Sequence, residues 1–319
     1  MAVRKIWEAE APDRADFLAA WTDVPYSYEN LDGGGMTVNA AIVILDDKGQ
    51  PMRAQARFGR GSLFGPGSGS GSWCTHQDIG GLGSSAALNV VAVGAQTVPE
   101  HQGNLTDEWR DHIAHEAFRR ATEGMRIMGG KQDEYASVFG GINCFYFRPD
   151  GKVEVERLNV PQSMIDYLKA HLIIFDTDES RLSSRIHEEV WGNLPHSLPI
   201  MEEMIEIAIG GKEAMLKGDI SSFAKSINST CKCQFRLNPT IGSDRIVRAL
   251  DALESERVSI AGKALGAGGG GALMAIAEEG EADNVKAIFK NFGFGRVLNW
   301  QFDFEGLRVW QANHPRMTG

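Results

Sequence analysis

The chain has 319 residues, of which 43% are hydrophobic and 23% charged, with a formal net charge of -10. That length suffices for two lobes around a sizeable core, and the excess of acid excludes a nucleic-acid backbone as partner, though not a nucleotide, which needs only a local set of donors. No apolar run reaches membrane-spanning length and the N-terminus lacks the apolar core of a signal peptide, so neither a membrane partner nor export is expected.

Cys74, Cys144, Cys231 and Cys233 lack the spacing of a disulfide framework, so a reducing cytoplasm is the expected compartment. Cys231-Lys232-Cys233 has no second cysteine or histidine pair to complete a metal site.

In chain order, Ala11 to Phe17 and Trp21 to Pro25 lead to Gly33-Gly34-Gly35. Polar groups set among Trp21, Tyr26 and Tyr28 suit a sugar, whose hydroxyls need partners and whose C–H face suits an aromatic ring; a plain surface loop is the other reading. Strands are predicted at Val38 to Leu45 and Pro51 to Phe58. Gly59 to Ser72 is a low-complexity loop, either plain or a lid over a nucleotide.

Gly80-Gly81-Leu82-Gly83-Ser84-Ser85-Ala86-Ala87 then runs into a helix predicted over Ser84 to Val98. A glycine turn before a helix brings free N–H groups and the positive end of the helix dipole to one spot, which suits a phosphate. The next helix, Thr106 to Met128, has Thr106 as N-cap. It carries Glu116 and Glu123 two turns apart, a pair that reads either as a solvated face or as oxygen donors for Mg²⁺. Gly129-Gly130-Lys131-Gln132-Asp133 follows, an aspartate on a glycine turn that can meet an incoming hydroxyl or simply stop a helix.

Strands are predicted at Ile142 to Phe147 and Leu172 to Phe175, and helices at Ser180 to Trp191, Pro199 to Leu216, Ile220 to Asn228 and Ser243 to Glu256. Gly266 to Gly271, with Lys263 ahead of it, precedes a strand at Ala272 to Ala277; so many glycines imply a close approach of another backbone or a ligand. Val297 to Phe304 and Leu307 to Trp310, broken by Glu305-Gly306, read as a terminal hairpin.

In this order and over nearly the whole chain, APDRADF, GGLGSSAA and GKALGAGGGGALM resemble the three signature motifs of the GHMP kinase superfamily. WTDVP, the turn from Gly34-Gly35 to Asn39, GGKQDEYASVFGG, TDESRLSS and the terminal FDFEGLRVW resemble its branch of D-glycero-D-manno-heptose 7-phosphate kinases and L-fucokinases. Lys131 favours the former, since fucokinases carry tryptophan there. Asp13 and the pair Ala19-Ala20 stand where the family has glycines.

The resemblance implies an α+β, two-lobed fold with the active site in the interlobe cleft, residues 1–170 forming one lobe and 171–319 the other. It implies Asp133 as the group that accepts or orients the sugar hydroxyl, with Arg14 beside the transferred phosphate. Gly80, Gly81, Leu82, Gly83, Ser84, Ser85 and Ala86 would lie along the ATP phosphates, and Gly266, Ala267, Gly268 and Gly269 would form the third motif. Mg²⁺ would be held by Ser85 and Glu123, with Glu116 in reserve.

Asp23, Gly34, Gly35 and Asn39 would surround the sugar. Lys131, Arg181, Ser183 and Ser184 would take a phosphate already on it. The implied reaction is transfer of the ATP γ-phosphoryl group to the anomeric hydroxyl of a heptose 7-phosphate or a related sugar phosphate. A kinase for a free sugar such as L-fucose, or a silent sugar- or nucleotide-binding sensor, are the alternatives. A homodimer is compatible with all three.

Overall fold

The computed structural model describes residues 6–59, 71–74, 79–98, 105–124, 128–179 and 183–312. The low-complexity loop read at Gly59 to Ser72 lies largely outside them. Three antiparallel sheets organise the chain. The largest is built on β3 (Gly35–Leu45), whose VNAAIVIL run is buried on both faces, as a central strand must be. Around it pair β2 (Asp13–Leu18), β4 (Pro51–Met52), β7 (Ile142–Phe147) and, beyond β7, β8 (Val153–Arg157). A second sheet joins β1 (Ile6–Ala11), β5 (Ala54–Gly59) and β6 (Gly71–Cys74). The third holds β9 (Leu172–Asp176), β10 (Ser259–Ala264) and β11 (Ala272–Ala277).

Helices cover these sheets. After the four-residue α1 (Pro25–Tyr28) come α2 (Ser84–Thr97), α3 (Asp107–Arg119) and α4 (Gln132–Phe139). Thr106 caps α3, its hydroxyl accepting from Trp109 N at 3.3 Å. The last turn of α3 widens into a π-turn over Arg120–Gly124. The second half carries α5 (Gln162–His171), α6 (Ser183–Gly192), α7 (Leu194–Lys217), α8 (Ile220–Leu237), α9 (Asp244–Ser255) and α10 (Ala282–Asn291). Gly218, left-handed at φ 72°, ends α7, and Asp219 caps α8 from Ser222 N at 3.0 Å, which folds the two into a helical hairpin.

Three expectations are corrected. Helix α7 starts at Leu194 and runs through Pro199, rather than starting there. Helix α8 continues nine residues past Asn228, because Thr230, Cys231, Cys233, Gln234 and Leu237 prolong its buried stripe with residues that are not plainly apolar. The terminal hairpin does not form: β12 (Arg296–Leu298) pairs with β9, β13 (Trp300–Phe302) with β3 and β14 (Arg308–Ala312) with β1. Each strand fills a different open edge while burying Leu298, Phe302 or the neighbouring Leu307.

That return crosses the chain's midpoint, so a split at 170/171 does not give two separately built units. The largest core cluster mixes both halves, with Phe17, Leu18 and Val38 packed among residues such as Met204, Phe223 and Met274. Cys144, Cys231 and Cys233 are buried free thiols. No helix among the described residues is long and apolar enough to cross a membrane.

Candidate active site

A cleft of about 630 Å³ opens where β2, the turn before α2, the start of α4 and the glycine-rich turn before β11 converge. Residues 79–83 form a turn, and Gly83, left-handed at φ 78°, stands at the N-cap of α2 without a side-chain cap. The helix therefore meets the cleft with its first-turn amides, an arrangement suited to phosphate oxygens. Ser84 and Ser85 both line the cleft; Ser84 is buried with its hydroxyl unpartnered, while Ser85 is exposed.

The glycine turn of residues 266–271 is pressed against that loop backbone to backbone. Ala272 N donates to Gly80 O at 2.8 Å, and a Cβ on Gly81 would fall 2.8 Å from Leu265 O. A Cβ on Gly271 would overlap the Gly80 carbonyl. Side chains at these points would push the two motifs apart, which is why the sequence has none there.

Arg14 and Asp16 alternate on β2 and so share a face. The Arg14 backbone N–H donates to Leu82 O at 2.8 Å. Its Nε donates to Asp133 Oδ1 at 2.8 Å, Nη2 stands 2.7 Å from the same oxygen, and Nη1 donates to Gly81 O. Asp133 Oδ2 takes no bond from a described residue, and its carboxylate is about a quarter exposed to the cleft, where the Arg14 side chain is 3% exposed. Burial raises the Asp133 carboxyl above its ordinary range, and the Arg14 guanidinium opposes that rise.

Asp23 sits deeper. Its Oδ1 accepts from Trp21 N at 3.1 Å and from Gln132 Nε2 at 3.3 Å, and its Oδ2 from Gln132 N at 3.2 Å. Burial first, then the charge of Asp133, pushes its carboxyl up to about 7. The turn that presents it is strained, with Ala19 at φ 55° and Trp21 at φ 86° in the left-handed region that glycine favours. A Cβ on Gly130 would overlap the Asp23 carboxylate, so the glycine allows α4 to start against it.

Several predicted site residues lie elsewhere. Gly34 and Gly35 are not on the cleft wall; Cβ atoms there would overlap the carbonyls of Phe147 and Thr22, so both serve the packing behind Asp23. Asn39 is buried off the cleft wall, with its Nδ2 3.4 Å from Gln132 Oε1. Lys131 is also buried: its Nζ donates to Gly151 O and lies over the rings of Tyr28 (5.1 Å) and Phe118 (5.6 Å), away from the cleft wall.

Glu116 and Glu123 face outward with arginines. Glu116 pairs with Arg119 and Arg120, which hold its carboxyl down at about 2, and Glu123 pairs with Arg119 at 2.8 Å. Neither lines the cleft. Arg181 lies outside the described residues, and Ser183 and Ser184 open α6.

Other residues on the site were not foreseen. Asp16 Oδ1 accepts from Gly266 N at 2.7 Å, its Oδ2 receives Lys263 Nζ, and the pair is fully buried. Glu134 is 3% exposed on the cleft wall with Oε2 unpartnered; burial and the neighbouring Asp133 push its carboxyl well up. His187 reaches the same wall from α6. The alternation of Arg14 with Asp16 was a usable signal for the first; nothing local marked the other two.

Residues 212–294 match the family described as GHMP kinases C terminal. The chain is 27% identical over 249 residues, 74% of its length and 70% of the relative's, to a D-glycero-alpha-D-manno-heptose 7-phosphate kinase of Campylobacter jejuni. It is 21% identical to a bifunctional fucokinase/GDP-fucose pyrophosphorylase of Arabidopsis thaliana, matching 86% of this chain and 30% of that longer protein. The fold resembles the crystal structure of a D-glycero-D-manno-heptose 1-phosphate kinase from Bacteroides thetaiotaomicron (TM-score 0.70, 20% identity, 97% of this chain and 100% of that one). It also resembles a Lactococcus lactis galactokinase complexed with galactose (TM-score 0.67, 14% identity, 96% and 95%). With a glycine turn against a helix N-terminus, an arginine-held aspartate beside it and a match of residues 212–294 to the GHMP kinase C-terminal domain, the chain resembles the GHMP kinase superfamily.

Proposed function

We propose that the protein transfers the γ-phosphoryl group of ATP to the anomeric hydroxyl of a heptose 7-phosphate or a related sugar phosphate. One observation carries this reading: Asp133, held at Oδ1 by Arg14 with Oδ2 unbonded among the described residues, lines the cleft together with the first turn of α2 and Asp23. A sugar hydroxyl hydrogen-bonded to Oδ2 has its proton drawn off as the oxygen attacks. The α2 amides and Arg14 carry the charge of the transferred group. Asp23 holds a neighbouring hydroxyl and fixes the ring, so the chemistry is mostly positioning.

Mg²⁺ arriving with ATP needs only one or two protein oxygens. On the cleft wall Ser85 and the unpartnered Oε2 of Glu134 fit that need, whereas Glu123 does not in this arrangement. Bound there, the ion would neutralise charge on the phosphates. The two lobes are assigned as residues 1–170, completed by the returning strands β13 and β14, and the remainder of 171–319.

Because Lys131 is committed elsewhere, recognition of a phosphate on the sugar falls to Arg181 with Ser183 and Ser184. A second reading, a kinase for a free sugar, is favoured by the cleft's own charge. Among the described residues Arg14 is the only Lys or Arg on the wall, against Asp23, Asp133, Glu134 and Glu179. Arg181→Ala decides between them. A charge-assisted contact to phosphate contributes about 1.5–3 kcal/mol, so the sugar-phosphate KM should rise by roughly one to two decades while any activity on the free sugar barely changes. Equal loss on both substrates points to the free-sugar reading.

A further inference from the structure

The cleft wall that Asp23 shares with His187 is built from both halves of the chain. Trp21 comes from the turn after β2, Tyr26 from α1 and His187 from α6. The Trp21 and His187 rings lie 4.5 Å apart at 43°, and Tyr26 Oη is 3.1 Å from His187 Nδ1. Trp191, one turn further along α6, stacks on Tyr26 at 6.2 Å and 11°. His187 is 7% exposed, and what it does expose borders the cleft together with Asp23 and Val24.

The hydrogen bond fixes the imidazole's tautomer. Burial and the charge of Asp23 keep the Tyr26 phenol protonated, and its proton has no acceptor among the described residues other than His187 Nδ1. Burial also lowers His187 to about 4, so the ring is neutral at ordinary pH. A neutral imidazole that accepts at Nδ1 carries its proton on Nε2. That donor has no partner among the described residues. Wrapped by Trp21 and Tyr26 and set beside a carboxylate, a neutral donor suits an uncharged oxygen better than a phosphate, for which a cation would be placed.

Resting on the sugar-kinase reading, we infer that His187 is a specificity-determining residue of the sugar pocket, donating its Nε2–H to a ring hydroxyl oxygen while Trp21 backs the imidazole. Asp23 accepts from one hydroxyl and His187 donates to another, so both halves of the chain hold the sugar at this wall. Tyr26 acts through His187 as a positioning residue.

The test compares His187→Phe, His187→Gln and Tyr26→Phe with wild type, using D-glycero-D-manno-heptose 7-phosphate and L-fucose as probes, with steady-state kinetics and a thermal melt of each variant. Phenylalanine keeps a ring against Trp21 but has no donor, so the sugar KM should rise about 3- to 10-fold, the loss of one neutral hydrogen bond, with kcat and the ATP KM within about twofold of wild type. Glutamine reaches the Nε2 position with an amide N–H and should recover most of that loss, which a purely packing role would not allow. Tyr26→Phe should give an intermediate rise. An unchanged sugar KM in His187→Phe, or a glutamine variant no better than phenylalanine, overturns this inference alone. A wild-type protein that binds and phosphorylates neither sugar overturns it together with the reading beneath it.

Discussion

At the scale of the residue, the site depends on how one carboxylate is divided between two tasks. Asp133 gives Oδ1 to two nitrogens of Arg14 and leaves Oδ2 to the cleft. The same guanidinium reaches Gly81 O, so the aspartate and the phosphate loop are referenced to one side chain. Asp133→Asn keeps the shape and removes the proton acceptor. It should cost roughly 10²–10⁴-fold in kcat while leaving nucleotide and sugar affinity near wild type. Retention of more than a third of the wild-type rate would take Asp133 out of the mechanism.

The residue scale is also where sequence reading was most uneven. Arg14, Asp133, Asp23 and the Ser84-Ser85 pair, each in a motif that resembles the family's, line one cleft. Lys131, Gly34, Gly35 and Asn39 lie in equally distinctive motifs yet stand off the cleft wall. A motif records that a residue type is needed at a position, and the need for close backbone approach at Gly35 reads no differently in the sequence from the need for a ligand contact.

At the scale of the element, β2 and β10 carry a buried ion pair that holds the two glycine turns in register. Asp16 receives Lys263 on one oxygen and the Gly266 amide on the other, and Arg14 Nη1 stands 3.4 Å from Asp16 Oδ1. Neither partner of the Asp16–Lys263 pair has any exposed side-chain surface. Asp16→Asn keeps the acceptor for Gly266 but strands the Lys263 charge in the core, which should destabilise the fold by about 3–5 kcal/mol in a denaturant titration. Combining it with Lys263→Met removes the stranded charge and should restore most of that loss. A double variant as unstable as Asp16→Asn would contradict the stranded charge as the cause of the loss.

Elements with a clean period were legible. Strands β7 and β11 fall where their short apolar runs place them, and Thr106 and Ser243 cap the helices they precede. What was not legible is pairing. Residues 297–310 contain strand-forming sequence around a Glu-Gly turn, and adjacency suggests a hairpin. The three strands instead complete three sheets, because unpaired edges far away in sequence offer both hydrogen bonds and apolar cover.

At the scale of the molecule, the cleft lies where both halves of the chain meet over a shared core, so a ligand bound there touches the phosphate loop and Asp133 from one half and the Gly266 turn and His187 from the other. The central claim is that this cleft phosphorylates the anomeric oxygen of a sugar that already carries a phosphate. Its most direct measurement is ATP consumption over a panel of matched free and phosphorylated hexoses and heptoses, with the product's new phosphate located by ³¹P NMR. The account predicts turnover that is fastest on a heptose 7-phosphate, with the added phosphate on the anomeric carbon. A faster rate on the free sugar, a phosphate placed on any other carbon, or no turnover of any sugar would contradict it.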